Sequence, residues 1–167
     1  MIHYISGGER SGKSNYAQDL ALTLSDNPTY VATSRIWDAD HQKRIDRHVD
    51  DRDERWTSIE EEKQLSTVIH SNETYVIDCV TLWLTNFFVD HKNNIELALA
   101  EAKKEFDKLL DINANIIIIS NEIGMGVHAQ TEVGRKFTQL QGWMNQHIAK
   151  HANKATFMVS GLPLKLK

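Results

Sequence analysis

Gly7-Gly8-Glu9-Arg10-Ser11-Gly12-Lys13-Ser14 fits the pattern G-x-x-x-x-G-K-[ST] from its first residue to its last. Ile2–Ile5 ahead of it has the apolar, β-branched character of a short strand. Lys13–Leu24 behind it puts Tyr16, Leu20 and Leu24 on one helical face. A strand, a glycine-bearing turn and a helix are the setting in which this pattern cradles phosphate. The glycines let the backbone fold back so that its N–H groups converge on phosphate oxygens. The helix adds its positive N-terminal end. Lys13 then reaches the β and γ phosphates, and the Ser14 hydroxyl faces the Mg²⁺ that bridges them. The loop predicts binding of a nucleoside triphosphate through Gly7, Gly8, Glu9, Arg10, Ser11, Gly12, Lys13 and Ser14. It does not say what is done with it.

The rest of the chain alternates in the same way. Thr29–Thr33, Tyr75–Ile77, Ile116–Ile119 and Ala155–Val159 read as strands, and Leu162-Pro163-Leu164 as the start of an edge strand. Four successive isoleucines suit a strand covered on both faces, as parallel sheets require. Helices are expected over Asp38–Arg55, Ile59–His70, from Val80 to Val89, over Ile95–Leu110 and over Glu132–Lys150. Such alternation predicts an α/β, P-loop NTPase-like three-layer fold, with a mostly parallel central sheet flanked by helices. The 167 residues fit one domain, 1–167.

Nineteen basic and 23 acidic side chains leave a formal charge of −4, which argues against a nucleic-acid binder working by bulk charge. The one cysteine, Cys79, allows no internal disulfide, so a reducing cytoplasm is the expected compartment. Met1–Ile5 lacks the basic start of a signal peptide, and no apolar run approaches the ~20 residues that span a bilayer. Stable membrane insertion is not expected.

Three further features carry chemistry. Asp78 closes the strand Tyr75–Ile77, where a carboxylate on a strand neighbouring the phosphate loop would hold Mg²⁺. Arg44, His48, Arg52 and Arg55 would share one helix face, because spacings of four, four and three stack side chains. A histidine among guanidiniums resists protonation, and a neutral imidazole is a nucleophile suited to attack on phosphorus. From pattern alone a solvated charged face is the better account, since Asp46, Asp50, Asp51, Asp53 and Glu54 neutralise these arginines. The loop Ser120–Gly126 follows the isoleucine strand, so Glu122 is a candidate for Mg²⁺ or for a substrate hydroxyl. His3 is expected to be structural and Cys79 to be an inert packing residue.

Several segments together resemble one family, the bifunctional adenosylcobinamide kinase / adenosylcobinamide-phosphate guanylyltransferases of cobalamin biosynthesis. The matching pieces are GGERSGKS at 7–14, VATS at 31–34, and Arg44-Ile45…His48…Arg52…Trp56…Glu60. IDCVTLWLTN at 77–86, SNEIGMG at 120–126 and VSGLPLKLK at 159–167 complete the set. The resemblance implies phosphorylation of adenosylcobinamide by ATP or GTP. It then implies transfer of GMP from GTP, by way of a guanylylated His48, to adenosylcobinamide phosphate. It further implies nucleotide contacts from Thr33, Ser34 and Arg35, from Val49, Asp50, Asp51 and Arg52, and from Glu60 and Leu82, and a homo-oligomer, a trimer in similar proteins. The chain departs from the family's pattern at Asp53, where proline often follows the arginine, at His128 and at His41. A kinase acting alone on a small alcohol, with His48 structural, is an alternative reading. So is a non-catalytic P-loop module, although no Asn-Lys-x-Asp base-reading motif occurs.

Overall fold

The structure, a computed structural model, describes residues 1–35 and 53–167. The strands are β1 (Ile2–Gly7), β2 (Thr29–Ala32), β3 (Thr57–Glu60), β4 (Thr74–Asp78), β5 (Asn115–Asn121), β6 (Lys154–Val159) and β7 (Leu162–Lys165). The helices among the described residues are α1 (Lys13–Leu24), α2 (Val80–Asp90), α3 (Ile95–Leu109) and α4 (Glu132–His151). The seven strands form one sheet in the order β3-β2-β4-β5-β1-β6-β7. Every pairing is parallel except β6 with β7. The expected α/β architecture with a mostly parallel, helix-flanked sheet is what the chain adopts.

Two apolar layers cover the sheet. On one face Ile5, Val76, Ile117 and Ile119 pack with Ala17 and Ala21 of α1. On the other, Tyr4, Ile77, Ile116 and Ile118 pack with Trp83, Phe106, Leu140 and Met144 of α2, α3 and α4. The isoleucine run of β5 thus divides by parity, 117 and 119 to one side and 116 and 118 to the other, as the two-residue period of a strand dictates. Small residues at 17 and 21 let α1 lie close across β4 and β5. At α3 the Asn94 side chain accepts the Leu97 N–H at 3.0 Å, and at α4 Thr131 Oγ1 accepts the Gly134 N–H at 3.1 Å. Both are side-chain N-caps that satisfy donors the first turn leaves unpaired.

Two expectations are corrected. Ile59–His70 is not a helix: it begins inside β3 and continues to a single 3₁₀ turn, Leu65–Thr67. Glu61 Oε1 accepts the backbone N–H groups of Lys63 at 2.8 Å and Gln64 at 2.7 Å, closing a turn where a helix would have to propagate. Leu65 and Ile69 are buried, and their spacing of four imitates a helical face. The second correction concerns Asp78. Its strand β4 does not neighbour β1; β5 lies between them. The charged segment Asp38–Arg55, with His48 on it, lies outside the described residues as far as 52. Its described end, 53–55, is turn, and there Arg55 Nη2 pairs with Asp53 Oδ2 at 2.6 Å.

Phe106 is 1% exposed at the centre of the larger layer. Phe106→Ala is expected to destabilise the protein by about 3–5 kcal/mol through lost burial and a residual cavity. A fall in the urea midpoint with an unchanged slope checks it.

Candidate active site

The phosphate loop runs from the end of β1 into α1, and its shape depends on two glycines. A Cβ on Gly7 would stand 2.6 Å from the Met158 carbonyl oxygen and 2.7 Å from Ser11 Oγ, so only glycine lets β1 leave the sheet there. Gly12 caps α1 at φ 91°, in the left-handed region, and a Cβ would lie 3.1 Å from Gly161 Cα. Gly161 belongs to the two-residue turn between β6 and β7. Ser160 and Gly161 both have positive φ, 52° and 81°, as a tight hairpin turn of the primed kind requires. The Gly161 N–H donates to the Ser11 carbonyl at 3.0 Å, so the last hairpin props the loop from outside.

Inside the loop Lys13 is 7% exposed. Its ammonium donates to the Gly8 carbonyl at 2.5 Å and to Ser11 Oγ at 3.3 Å. Burial pushes it below the usual lysine range, while Asp78, Cys79 and Glu9 act in the opposite sense. A charge held in this way interacts strongly with any anion that enters, because little water screens it. Ser14 Oγ donates to Asp78 Oδ2 at 2.9 Å, and the Tyr30 hydroxyl donates to the same oxygen at 2.8 Å. Loop residues 9–15, Asp78, Ile119 and Asn121 line a cavity of about 500 Å³. Glu9 to Ser14 and Asp78 therefore meet at one place, across the intervening β5.

The oxygen donors at the cavity fit a hard divalent cation. Ser14 and Asp78 present a hydroxyl and a carboxylate 2.9 Å apart, beside the phosphate cradle. Mg²⁺ is usually held by one or two protein oxygens together with substrate phosphates and water, not by a full protein cage. No cluster of three or more His, Cys, Asp or Glu side chains with metal-binding geometry occurs among the described residues.

The other candidates divide. Thr33, fully buried, is tied to the end of β4: its N–H donates to the Asp78 carbonyl at 3.1 Å and its hydroxyl to the Cys79 carbonyl at 2.8 Å. Ser34 Oγ donates to the Arg35 carbonyl at 2.9 Å. The Arg35 guanidinium does not line the cavity. It forks onto Asp90 at 2.6 and 2.9 Å and also pairs with Glu62. Glu60 stands exposed on β3, opposite Ala32. Leu82 packs, half-buried, against the α1-side layer. Glu122 turns toward its own loop, with Oε1 accepting the Gly124 N–H at 2.9 Å. His48, Val49, Asp50, Asp51 and Arg52 lie outside the described residues. His3 is buried and bonded to Thr156 at 2.8 Å, and the Cys79 thiol is pushed up to about 12 by burial, as packing roles demand.

Three residues not singled out from the sequence hold this arrangement. Tyr30 is the second donor to Asp78. Asn86, fully buried on α2, donates through Nδ2 to the carbonyls of Thr33 and Glu62, both at 2.8 Å. Asn121 lines the cavity at the end of β5. The only signal for Asn86 is a polar residue among the apolar positions of Val80–Val89, closing the segment 77–86.

A family model described as cobinamide kinase / cobinamide phosphate guanyltransferase matches residues 3–166. The chain belongs to that family. It is 34% identical to the bifunctional adenosylcobalamin biosynthesis protein CobP of Pseudomonas aeruginosa, covering 100% of this chain and 98% of the relative. It is 32% identical to the CobU protein of Escherichia coli and 30% identical to that of Salmonella typhimurium, both over 100% of each chain. The family match takes in the phosphate loop, Asp78 and the loop after β5 together, and with them the positions 36–52. Among the described residues no helix is long and apolar enough to cross a membrane.

The bond to Arg35 holds the Asp90 carboxyl well below its ordinary 3.8, with a smaller contribution from Lys63. The unfolded chain therefore takes up a proton where the folded one does not. The pair's stabilisation is complete above the unfolded value and is lost as pH falls below it toward the folded one. Asp90→Asn is expected to flatten the acid limb of the stability curve below about pH 4, read by melting temperature against pH.

Proposed function

We propose that this chain phosphorylates adenosylcobinamide with a nucleoside triphosphate. It then transfers GMP from GTP, through a covalent guanylyl-histidine, to adenosylcobinamide phosphate, giving adenosylcobinamide-GDP. The family match over residues 3–166 carries this reading. The meeting of Lys13, Ser14 and Asp78 at one cavity supports its first step.

In that step the loop N–H groups of Gly7 to Ser14 hold the phosphates, and Lys13 stabilises negative charge on the γ-phosphoryl group. Ser14 and Asp78 would hold a magnesium ion, which would supply neutralisation of the phosphate charge. An acceptor hydroxyl oxygen bonds to the γ phosphorus, the bond to the bridging oxygen breaks with its electron pair leaving on the diphosphate, and the hydroxyl proton passes to water. In the second reaction a neutral imidazole nitrogen of His48 bonds to the α phosphorus of GTP and pyrophosphate leaves. A phosphate oxygen of the cobinamide then displaces the histidine.

Val49, Asp50, Asp51, Arg52, Glu60 and Leu82 complete the guanylyl site. Thr33, Ser34 and Arg35 serve by the placement of their loop, since the Arg35 guanidinium is committed to Asp90 and Glu62. The chain works as a single nucleotide-binding domain of a homo-oligomer, a trimer by resemblance, in a reducing cytoplasm that suits its free buried thiol.

GTP labelled at the α-phosphate tests the reading. Native protein is expected to retain label that is lost in acid and kept in alkali, as a phosphoramidate is, and His48→Ala to retain none. No label on native protein that still binds GTP removes the guanylyl half and leaves a kinase. Lys13→Ala is expected to lower phosphoryl transfer by roughly 100-fold or more while the fold survives, measured as ATP consumed with cobinamide present.

A further inference from the structure

We propose that Asn121 is a catalytic residue of the phosphoryl-transfer step, donating a hydrogen bond from its side-chain amide to the γ-phosphoryl group as it moves. The inference rests on the kinase reading above and adds to it a residue on the sheet side of the cavity.

Strand parity aims the side chain. Asn121 is two residues beyond Ile119, which packs on the α1 side and lines the same cavity. Ser120 between them faces the other way, where its hydroxyl donates to Asn145 Oδ1 at 2.6 Å and accepts from Gln141 Nε2 at 2.8 Å. In register Asn121 stands opposite Gly7, the first residue of the phosphate loop. Its backbone is fixed on both sides. The N–H donates to Thr81 Oγ1 at 3.3 Å, and the carbonyl accepts from Asn145 Nδ2 at 3.3 Å. The carboxamide itself has no hydrogen-bond partner among the described residues. A held backbone with an uncommitted amide, beside Lys13 and Asp78, is a donor waiting for a ligand.

The chemistry favours an amide here over the adjacent carboxylate. Glu122 is turned to the Gly124 N–H, and its backbone N–H donates to the Gly7 carbonyl at 2.9 Å. A carboxylate aimed into the cavity would add to the charge of Asp78 and repel the phosphates. The amide carries no charge and offers two N–H donors. In the transfer the γ phosphorus leaves the bridging oxygen and bonds to the acceptor oxygen, with charge spread over its three remaining oxygens. A donor fixed opposite the loop meets one of these and gains strength only as the group moves, which lowers the barrier without tightening nucleotide binding.

The test measures ATP affinity and phosphoryl-transfer rate in native protein, Asn121→Ala, Asn121→Asp and Asn121→Ser, with melting temperature as the check on folding. Asn121→Ala is expected to bind ATP within about twofold of native and to transfer about 100-fold more slowly, the usual cost of a lost oxyanion donor. Asn121→Asp is expected to be slower still, and Asn121→Ser, which keeps a donor, to recover part of the rate. Native-like transfer by Asn121→Ala overturns the proposal. So does an Asn121→Asp as fast as native, because a group that accepted the alcohol proton would tolerate the carboxylate. The slow hydrolysis of ATP, with water as the acceptor, is measured alongside. A native protein that hydrolyses ATP but ignores cobinamide refutes the substrate reading. The fall in hydrolysis on Asn121→Ala then still supports the role of Asn121, and its absence overturns it.

Discussion

One carboxylate oxygen joins two strands of the sheet to a helix that covers it. Asp78 Oδ2, at the end of β4, receives the Ser14 hydroxyl from α1 and the Tyr30 hydroxyl from β2. Because β5 separates β4 from β1, the loop and the carboxylate can meet only if α1 crosses over β5, and the alanines at 17 and 21 on its buried face permit that approach. Remove this crossing and the cavity has neither its floor nor its acid. The shape of the loop cavity depends on an interaction between groups 64 positions apart in the chain.

A second set of bonds keeps the strand ends in register. Asn86 holds the carbonyls of Thr33 and Glu62, and Thr33 in turn holds the carbonyls at the end of β4. The loops after β2 and β3 are therefore fastened to α2 through a buried amide. Arg35 adds an outer fastening to Asp90, one turn further along that helix. Residues that the family resemblance marks as nucleotide contacts are thus also structural members of these loops, and substitutions among them are expected to combine non-additively.

Much of this was legible in the sequence, for reasons that differ from place to place. The strand–loop–helix around 7–14 is local: glycine, lysine and serine at fixed offsets mean the same thing in any chain. The isoleucine run of β5 and the amphipathic face of α3 are also local. The helix expected over Ile59–His70 failed because Leu65 and Ile69 share a helical spacing while the Glu61 side chain closes a turn between them and β3. Strand order is not written locally, so Asp78 was expected on a neighbouring strand. The side chains of Tyr30 and Asn86 act through partners far away in sequence, Asn121 reaches the cavity by strand register, and nothing adjacent to these residues announces it. Glu122 drew attention by its charge, yet a one-residue change of parity decides that Asn121 lines the cavity. His48 emerged from resemblance, since its pattern alone favoured a solvated face.

The hairpin that props the phosphate loop also has a consequence for the order in which the molecule is made. β1 is made before the other strands, but both of its neighbours, β5 and β6, follow only after β2, β3 and β4, and the turn at Ser160–Gly161 comes later still. Ile2 is bonded to Asn153, 151 residues away. During synthesis the nascent loop has no walls. The cavity takes its shape only when β6 and the turn after it emerge, so a chain that stops before them would carry the whole signature motif and yet lack the elements that support it.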